Sequence, residues 1–334
     1  MTAPFGSTTT PARARVRLTR PARVALGTLL LAAAACRGTP EAKAEVQGTA
    51  QGTPTASAVG RVPDWKAVDA AMGRTGTEQP GNVRRYGMPR SDLRVTVQGV
   101  AIRPSFALGS WIAMTPHGDG VMAMGDLVLL EDELSPVIDA LQAGGVEQSA
   151  IHHHLVREQP RILYTHVHAM GDPVKIAQTV RGALERTSTP AAAPGAAAPA
   201  AEPLGIDTAG IARTLGHTGR VNGGVYQVNA PRPETIRDSD MVVPGSMGLG
   251  TVMNFQPTGG GKAAITGDFV LRASEVNPVI RALRAANIEV TSLHNHMLND
   301  EPRLFFMHFW ANDDAVTLAR GLRAALDSTA QRAR

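Results

Sequence analysis

A single cysteine, Cys36, occurs among the 334 residues. The chain therefore has no intramolecular disulfide, and because Cys36 closes an N-terminal leader, the remainder has no thiolate metal site and no cysteine nucleophile. Long hydrophobic runs are also missing. Val24 to Ala35 is the apolar stretch of the leader, and it is too short to span a bilayer as a permanent helix. No Ser-His-Asp order, P-loop or dinucleotide fingerprint is present. Stability has to come from packed cores, and two units of about 120 residues are each large enough to form one.

Arg13, Arg15, Arg17, Arg20 and Arg23 precede the apolar stretch, and Ala33-Ala34-Ala35-Cys36 resembles a bacterial lipoprotein signal, with Ala33 where leucine is commonest, which leaves cleavage by ordinary signal peptidase as the alternative. The expectation is a signal peptide over 1–36, a lipid on Cys36, and export to the cell envelope with a membrane as partner. Of the 33 basic residues, five lie in this leader and none of the 29 acidic ones do. The mature chain is then close to neutral, which argues against a nucleic-acid partner held by phosphate neutralisation. Residues 37–61, rich in Gly, Thr, Ala and Gln, read as a disordered tether. Residues 188–204, rich in Ala and Pro, read as a linker between folded units at 62–187 and 205–328.

Those two units repeat one another at an offset of 142 residues. From Gly125 to Pro173, 19 of 49 aligned pairs are identical without a gap, so the chain is a tandem duplication. His152, His154 and His166 recur as His294, His296 and His308, and Gly125-Asp126, Glu133 and Pro160-Arg161 recur as Gly267-Asp268, Glu275 and Pro302-Arg303. Neighbouring positions drifted: His153 is matched by Asn295 and His168 by Trp310, which marks both histidines as peripheral. His117 and His217 fall outside the repeat register.

In the first unit, Leu93 to Gln98, Leu108 to Met114 and Val121 to Leu130 read as strands. An acidic turn at Glu131-Asp132-Glu133 leads to a helix over 135–143 with Pro136 in its first turn. Strands at 146–156 and 161–170 and a helix at 173–185 complete it. The second unit matches, with helices at 277–286 and 313–326 around strands at 288–298 and 303–311. Strand, helix, hairpin, helix predicts an α+β fold: two tandem ferredoxin-like α/β sandwiches with mostly antiparallel sheets.

Alternation along a strand puts His152 and His154 on one face. With a turn at Glu158-Gln159-Pro160, His152 stands opposite His166 and His154 opposite Tyr164, and likewise His294 opposite His308 and His296 opposite Phe306. The other face, with Ile151, Leu155, Leu163 and Val167 matched by Leu293, Met297, Phe305, Met307 and Phe309, is expected against the helices. The histidine face carries Leu304, Phe306 and Trp310 in the second unit, too apolar for water. Pseudo-twofold packing with sheets facing, helices outside and a cavity lined by both histidine sets satisfies both requirements.

Three converging imidazoles per unit point to a divalent transition metal: zinc, copper, iron or manganese. Asp126 and Asp268 are candidates for a fourth ligand, an acceptor behind an imidazole, or a general base. Glu133 and Glu275 are weaker catalytic candidates, since a carboxylate at that point more often caps a helix. Glu158, Asp300, Arg161 and Arg303 read as turn chemistry. The motifs Leu293-His294-Asn295-His296-Met297-Leu298 and Glu301 to Ala311 resemble the LppY/LpqO family of bacterial lipoproteins, which are built from copies of a domain of unknown function. That resemblance implies export and lipidation and assigns no chemistry. Two functions stay open from sequence: a metal-binding lipoprotein acting, if catalytic, as hydrolase or oxidoreductase, and a non-catalytic envelope module holding a small ligand.

Overall fold

The computed structural model describes residues 60–192 and 203–331. The leader, Cys36, nearly all of the tether and most of the linker lie outside them. Each repeat is built on a six-stranded, wholly antiparallel sheet. In the first, the strands are β1 (Thr77–Gln79), β2 (Val83–Pro89), β3 (Gly109–His117), β4 (Gly120–Leu130), β5 (Glu147–His152) and β6 (Ile162–Gly171), in spatial order β1-β2-β3-β4-β6-β5. In the second they are β7 (Arg220–Asn222), β8 (Val225–Pro231), β9 (Gly250–Gly259), β10 (Lys262–Arg272), β11 (Glu289–His294) and β12 (Leu304–Asp314), in the equivalent order.

The longer helices are α1 (Trp65–Met72), α2 (Glu131–Ala143) and α3 (Pro173–Leu184), matched by α4 (Thr208–Leu215), α5 (Ala273–Ala285) and α6 (Ala315–Leu326). Because β6 lies between β4 and β5, the β4-α2-β5 connection is a split β-α-β unit, as expected of a ferredoxin-like arrangement. The fold is thus α+β in two similar tandem units, as the sequence implies. No helix among the described residues is long and apolar enough to cross a membrane.

Strand alternation divides the apolar residues into layers. Ala123, Leu127, Leu129 and Val167 pack on Val137, Leu141 and Val180 of the first repeat's helices. Phe269, Met307 and Phe309 do the same with Val279, Leu283 and Leu322 in the second. The other faces meet each other. Met122, Met124 and Ala113 pack on Val270, Leu304 and Phe306, while Val128 and Tyr164 pack with Ala264 and Trp310. The sheets face one another with helices outside, so polar residues on the inner faces of β4 and β6 are buried between repeats.

Several local expectations change. Leu93 to Gln98 is only a two-residue ladder, Thr96–Val97, paired with Glu158–Gln159. The tight hairpin therefore does not form: residues 153–157 leave the sheet and Glu158–Gln159 serves a different one. With the hairpin gone, His152 pairs with Tyr164 and Ala150 with His166, two residues from the expected register, and His294 pairs with Phe306. Bulges leave Ser149 and Thr291 unpaired in the same places. Ile151 and Leu293 are exposed rather than packed on helices, while Leu155 and Met297, beyond the strand ends, fold back between the repeats.

Helix α2 starts at Glu131, directly after β4, so the acidic triplet is its first turn and Pro136 lies inside it. The short α1 and α4, invisible to periodicity, have Asp64 and Asp207 as N-caps and glycines in the left-handed region, Gly73 (φ 69°) and Gly216 (φ 74°), as C-caps.

Candidate metal centre

All six repeated histidines project into one cluster between the sheets. His152 stacks on its counterpart His294 with ring centroids 3.8 Å apart, so the pseudo-twofold axis passes between them. His154 lies 3.8 Å from His308, and the equivalent pair His166 and His296 lies at 3.9 Å. The rings fill the space the sequence analysis assigned to a cavity. Tyr164 stacks on His154 at 3.5 Å and Phe306 on His296 at 3.4 Å, closing the cluster at both ends.

The backbone sets the tautomer at two of the rings. His166 Nδ1 is 3.2 Å from the Gly125 carbonyl, and His308 Nδ1 is 2.6 Å from the Gly267 carbonyl. A carbonyl only accepts, so each Nδ1 carries the proton and each Nε2 presents a lone pair to the cluster. A Cβ at Gly125 would run into the Trp111 carbonyl and the Ile112 side chain, and one at Gly267 into the Val252 carbonyl. Glycine therefore lets neighbouring strands close up at the point where the histidine is oriented. This accounts for the retained Gly-Asp pair, whose glycine the sequence reading left without a role.

The aspartates sit beside those glycines, on the inner face. Asp126 pairs with His166 across β4 and β6, and Asp268 with His308 across β10 and β12. Asp126 Oδ2 stands 3.1 Å from His154 Nε2, and Asp268 Oδ2 stands 3.2 Å from His296 Nε2. Neither contact is aligned as a hydrogen bond, since both imidazole nitrogens remain without a partner, as do Nδ1 and Nε2 of His152, Nδ1 of His294, and Nε2 of His308. Unpaired buried polar atoms cost roughly 1–3 kcal/mol each, so such a concentration marks a site arranged for something other than its own stability.

Burial dominates the electrostatics. It pushes every ring of the cluster below the ordinary histidine range, His154 to about 3 and His166 to about 4, with neighbouring imidazoles adding to the effect. All six are neutral near pH 7 and available as ligands. Burial also raises the Asp126 carboxyl to about 6, against the pull of His166 and Arg85, and raises Asp268 well above the usual carboxylate range, with the neighbouring Asp126 adding to it.

Donor atoms from several groups lie within 4.8 Å of one another: His152, His294 and His308; His166, His294 and His296; and Asp126, His152 and His154. Buried histidines and an aspartate are thus within metal-binding distance, and two of the three groups mix the repeats. Among the described residues, none of these groups holds all three histidines of one repeat, the set expected from sequence.

Reciprocal bonds produce the mixing. Ser149 at one bulge donates to the His296 carbonyl at 2.5 Å, and Thr291 at the other donates to the His154 carbonyl at 2.7 Å. Each repeat holds the other's second histidine in place. These clamps were not recognised from sequence, although the hydroxyl kept at both positions was the available signal.

Glu133 and Glu275 do not join the cluster. Glu133 accepts from Arg90 Nη1 at 2.6 Å, from Leu130 N at 2.8 Å and from Ser188 N at 3.2 Å. Glu275 repeats the pattern with Arg232, Arg272 N and Ala330 N. Their carboxylates tie helix starts to buried arginines, and the catalytic expectation for them is withdrawn. Glu158 and Asp300 accept from Ile162 N and Leu304 N, as turn residues should. His153 faces Glu158 and Arg161, and His168 faces Asp238, so both are peripheral to the cluster.

A duplicated α+β unit enclosing a shared histidine cluster defines the class. The chain belongs to the family described as Domain of Unknown Function (DUF1259), whose model matches residues 66–186 and again 209–328. No curated protein matches it in sequence. Among solved structures it is similar to the trimeric bacterial microcompartment shell protein PduB, at 13% identity over 76% of this chain and 90% of that one, with a TM-score of 0.20. It is also similar to EtuB from Clostridium kluyveri, at 9% identity over 75% and 90%, with a TM-score of 0.18.

Proposed function

We propose that this protein is a cell-envelope lipoprotein of the LppY/LpqO type, anchored through Cys36, whose paired repeats bind a divalent transition metal at the histidine cluster. One observation carries the metal reading: six neutral imidazoles, four of them buried and two partly so, converge with most of their inward nitrogens unpartnered, and two of them are in a tautomer fixed by backbone carbonyls. Imidazole with carboxylate suits zinc, copper, iron or manganese. A bound ion would supply Lewis-acid or redox chemistry for hydrolysis or oxidation. This chain's own contribution is to orient the imidazoles and to hold the Asp126 carboxylate among them.

Elemental analysis of protein purified from envelope membranes should find one of these metals, and adding it to metal-free protein should raise the Tm. Metal-free protein whose Tm responds to none of the four overturns the reading. The anchor is tested separately. Cys36→Ala should move the protein from the membrane fraction to the soluble one with its Tm unchanged; continued membrane association would refute the lipid attachment.

A further inference from the structure

We propose that the cluster holds two metal ions, each bound by ligands from both repeats. Asp126, His152 and His154 with His308 form one set, and Asp268, His294 and His296 with His166 form the other. This rests on the metal reading above and specifies the number of ions and which side chains share each one.

Three observations carry the exchange of ligands. First, contacts join the members of each set. Asp126, His152 and His154 are mutual neighbours, His152, His294 and His308 form a second group that spans both repeats, and His166, His294 and His296 form a third that also spans both. Asp268 joins His296 at 3.2 Å. His154 packs on His308 and His166 on His296, whereas His154 with His166, and His296 with His308, make no ring contact. His152 and His294 each stand near both His166 and His308, at 4.7 to 5.5 Å, so the contacts of His154 and His296 decide the assignment.

Second, the spacing is that of shared ligands. Two donors bound at 2.0–2.1 Å and a tetrahedral angle lie about 3.3 Å apart. Nε2 of His166 and Nε2 of His294 are 3.2 Å apart across the repeats. The Asp126–His154 and Asp268–His296 contacts, at 3.1 and 3.2 Å, have the same length without hydrogen-bond alignment.

Third, the Ser149 and Thr291 clamps hold each histidine loop against the opposite repeat. The first repeat's loop is therefore brought to the second repeat's His308, and the second repeat's loop to His166.

Metal content of the full-length chain, equilibrated with zinc and freed of excess, tests this through two double variants. Wild type should retain about two ions per chain. His154→Ala with His308→Ala strikes one set and should leave about half the zinc. His296→Ala with His308→Ala strikes both sets and should leave little or none. Ligand sets confined within repeats predict the reverse order, and that result overturns the exchange. Wild type saturating at a single ion overturns the pair of sites.

A second measurement needs no variant. Wild type loaded with copper(II) should show spin-spin broadening in its EPR spectrum at full loading, beyond that at a quarter loading; identical line shapes would refute neighbouring ions. Protein that binds no metal sinks the metal reading itself, whereas bound metal with the reversed variant order sinks only the exchange.

Discussion

In the first repeat His168 stands 3.0 Å from Asp238 of the second, whereas its counterpart Trp310 donates its indole N–H to Gln98 of the first at 3.1 Å. Two residues earlier on the same strands, His166 and His308 do the same thing, each bonding through Nδ1 to a glycine carbonyl. Identity thus persists where side chains enter the shared cluster and lapses one inward position away, where each repeat makes its own polar contact to the other.

Acid should break what the repeats share. All six rings are held neutral in the fold, whereas in the unfolded chain they take up protons near the ordinary histidine pKa of about 6.5. Unfolded protein then binds more protons, so this stability is present above pH 6.5 and is lost as pH falls. At pH 4.5 the metal-free protein should lose roughly 3 kcal/mol for each ring that stays neutral, enough to unfold it. Asp126 has the opposite sign: its raised pKa favours the folded state in acid, and that contribution fades as pH rises through about 6. Asp268, raised by burial as well, acts in the same direction, and two carboxyls offset only part of six imidazoles. Urea unfolding across pH 4.5–8 checks this, and a flat profile would contradict the burial of the rings.

The buried arginines are a matched pair. Arg90 is fully buried against Asp92 and Glu133, and Arg232 is equally buried against Glu234 and Glu275. Arg90→Ala and Arg232→Ala should each cost about 3–5 kcal/mol, because each strands a buried carboxylate. A large inequality between them, measured by chemical denaturation, would show that the repeats carry unequal shares of stability. Gly125→Ala and Gly267→Ala should come next, at about 3 kcal/mol each, by forcing adjacent strands apart. Near-neutral values would remove the close-approach argument.

Much of the architecture was legible because duplication displays it twice. The central strands β4 and β10 are apolar on both faces, and the greasy company of the histidines, Leu304, Phe306 and Trp310, indicated that the histidine faces had to meet. The ring pairing across repeats was not legible. It depends on bulges at Ser149 and Thr291 and on residues 153–157 leaving the sheet, and neither alters the alternation of the flanking strands. Arithmetic from an assumed tight turn therefore placed His152 two residues out of register. Helices α1 and α4, at eight residues each, are too short for periodicity to reveal, and their caps were the only sign.

Smaller effects sharpen the comparison. Ser149→Ala and Thr291→Ala should each cost about 1 kcal/mol, one hydrogen bond across the repeats apiece. Their double variant should exceed the sum if the clamps cooperate, which a double-mutant cycle measures. Tyr164→Phe makes the first repeat copy the second at the position of Phe306. It removes the bond from the Tyr164 hydroxyl to the Ala107 carbonyl at 2.9 Å and should cost about 0.5–1.5 kcal/mol. The ring still covers His154, so metal-induced stabilisation should be unchanged.

The axis between His152 and His294 has a consequence for how this molecule can change. In a pair of identical subunits, any residue near such an axis meets its own twin, and every mutation arrives twice. Joining the halves in one polypeptide lifts that restriction: Trp310 can replace a histidine on one side without imposing a tryptophan on the other. The cluster keeps the symmetry of a dimer, while its surroundings are free to make the two sides unequal.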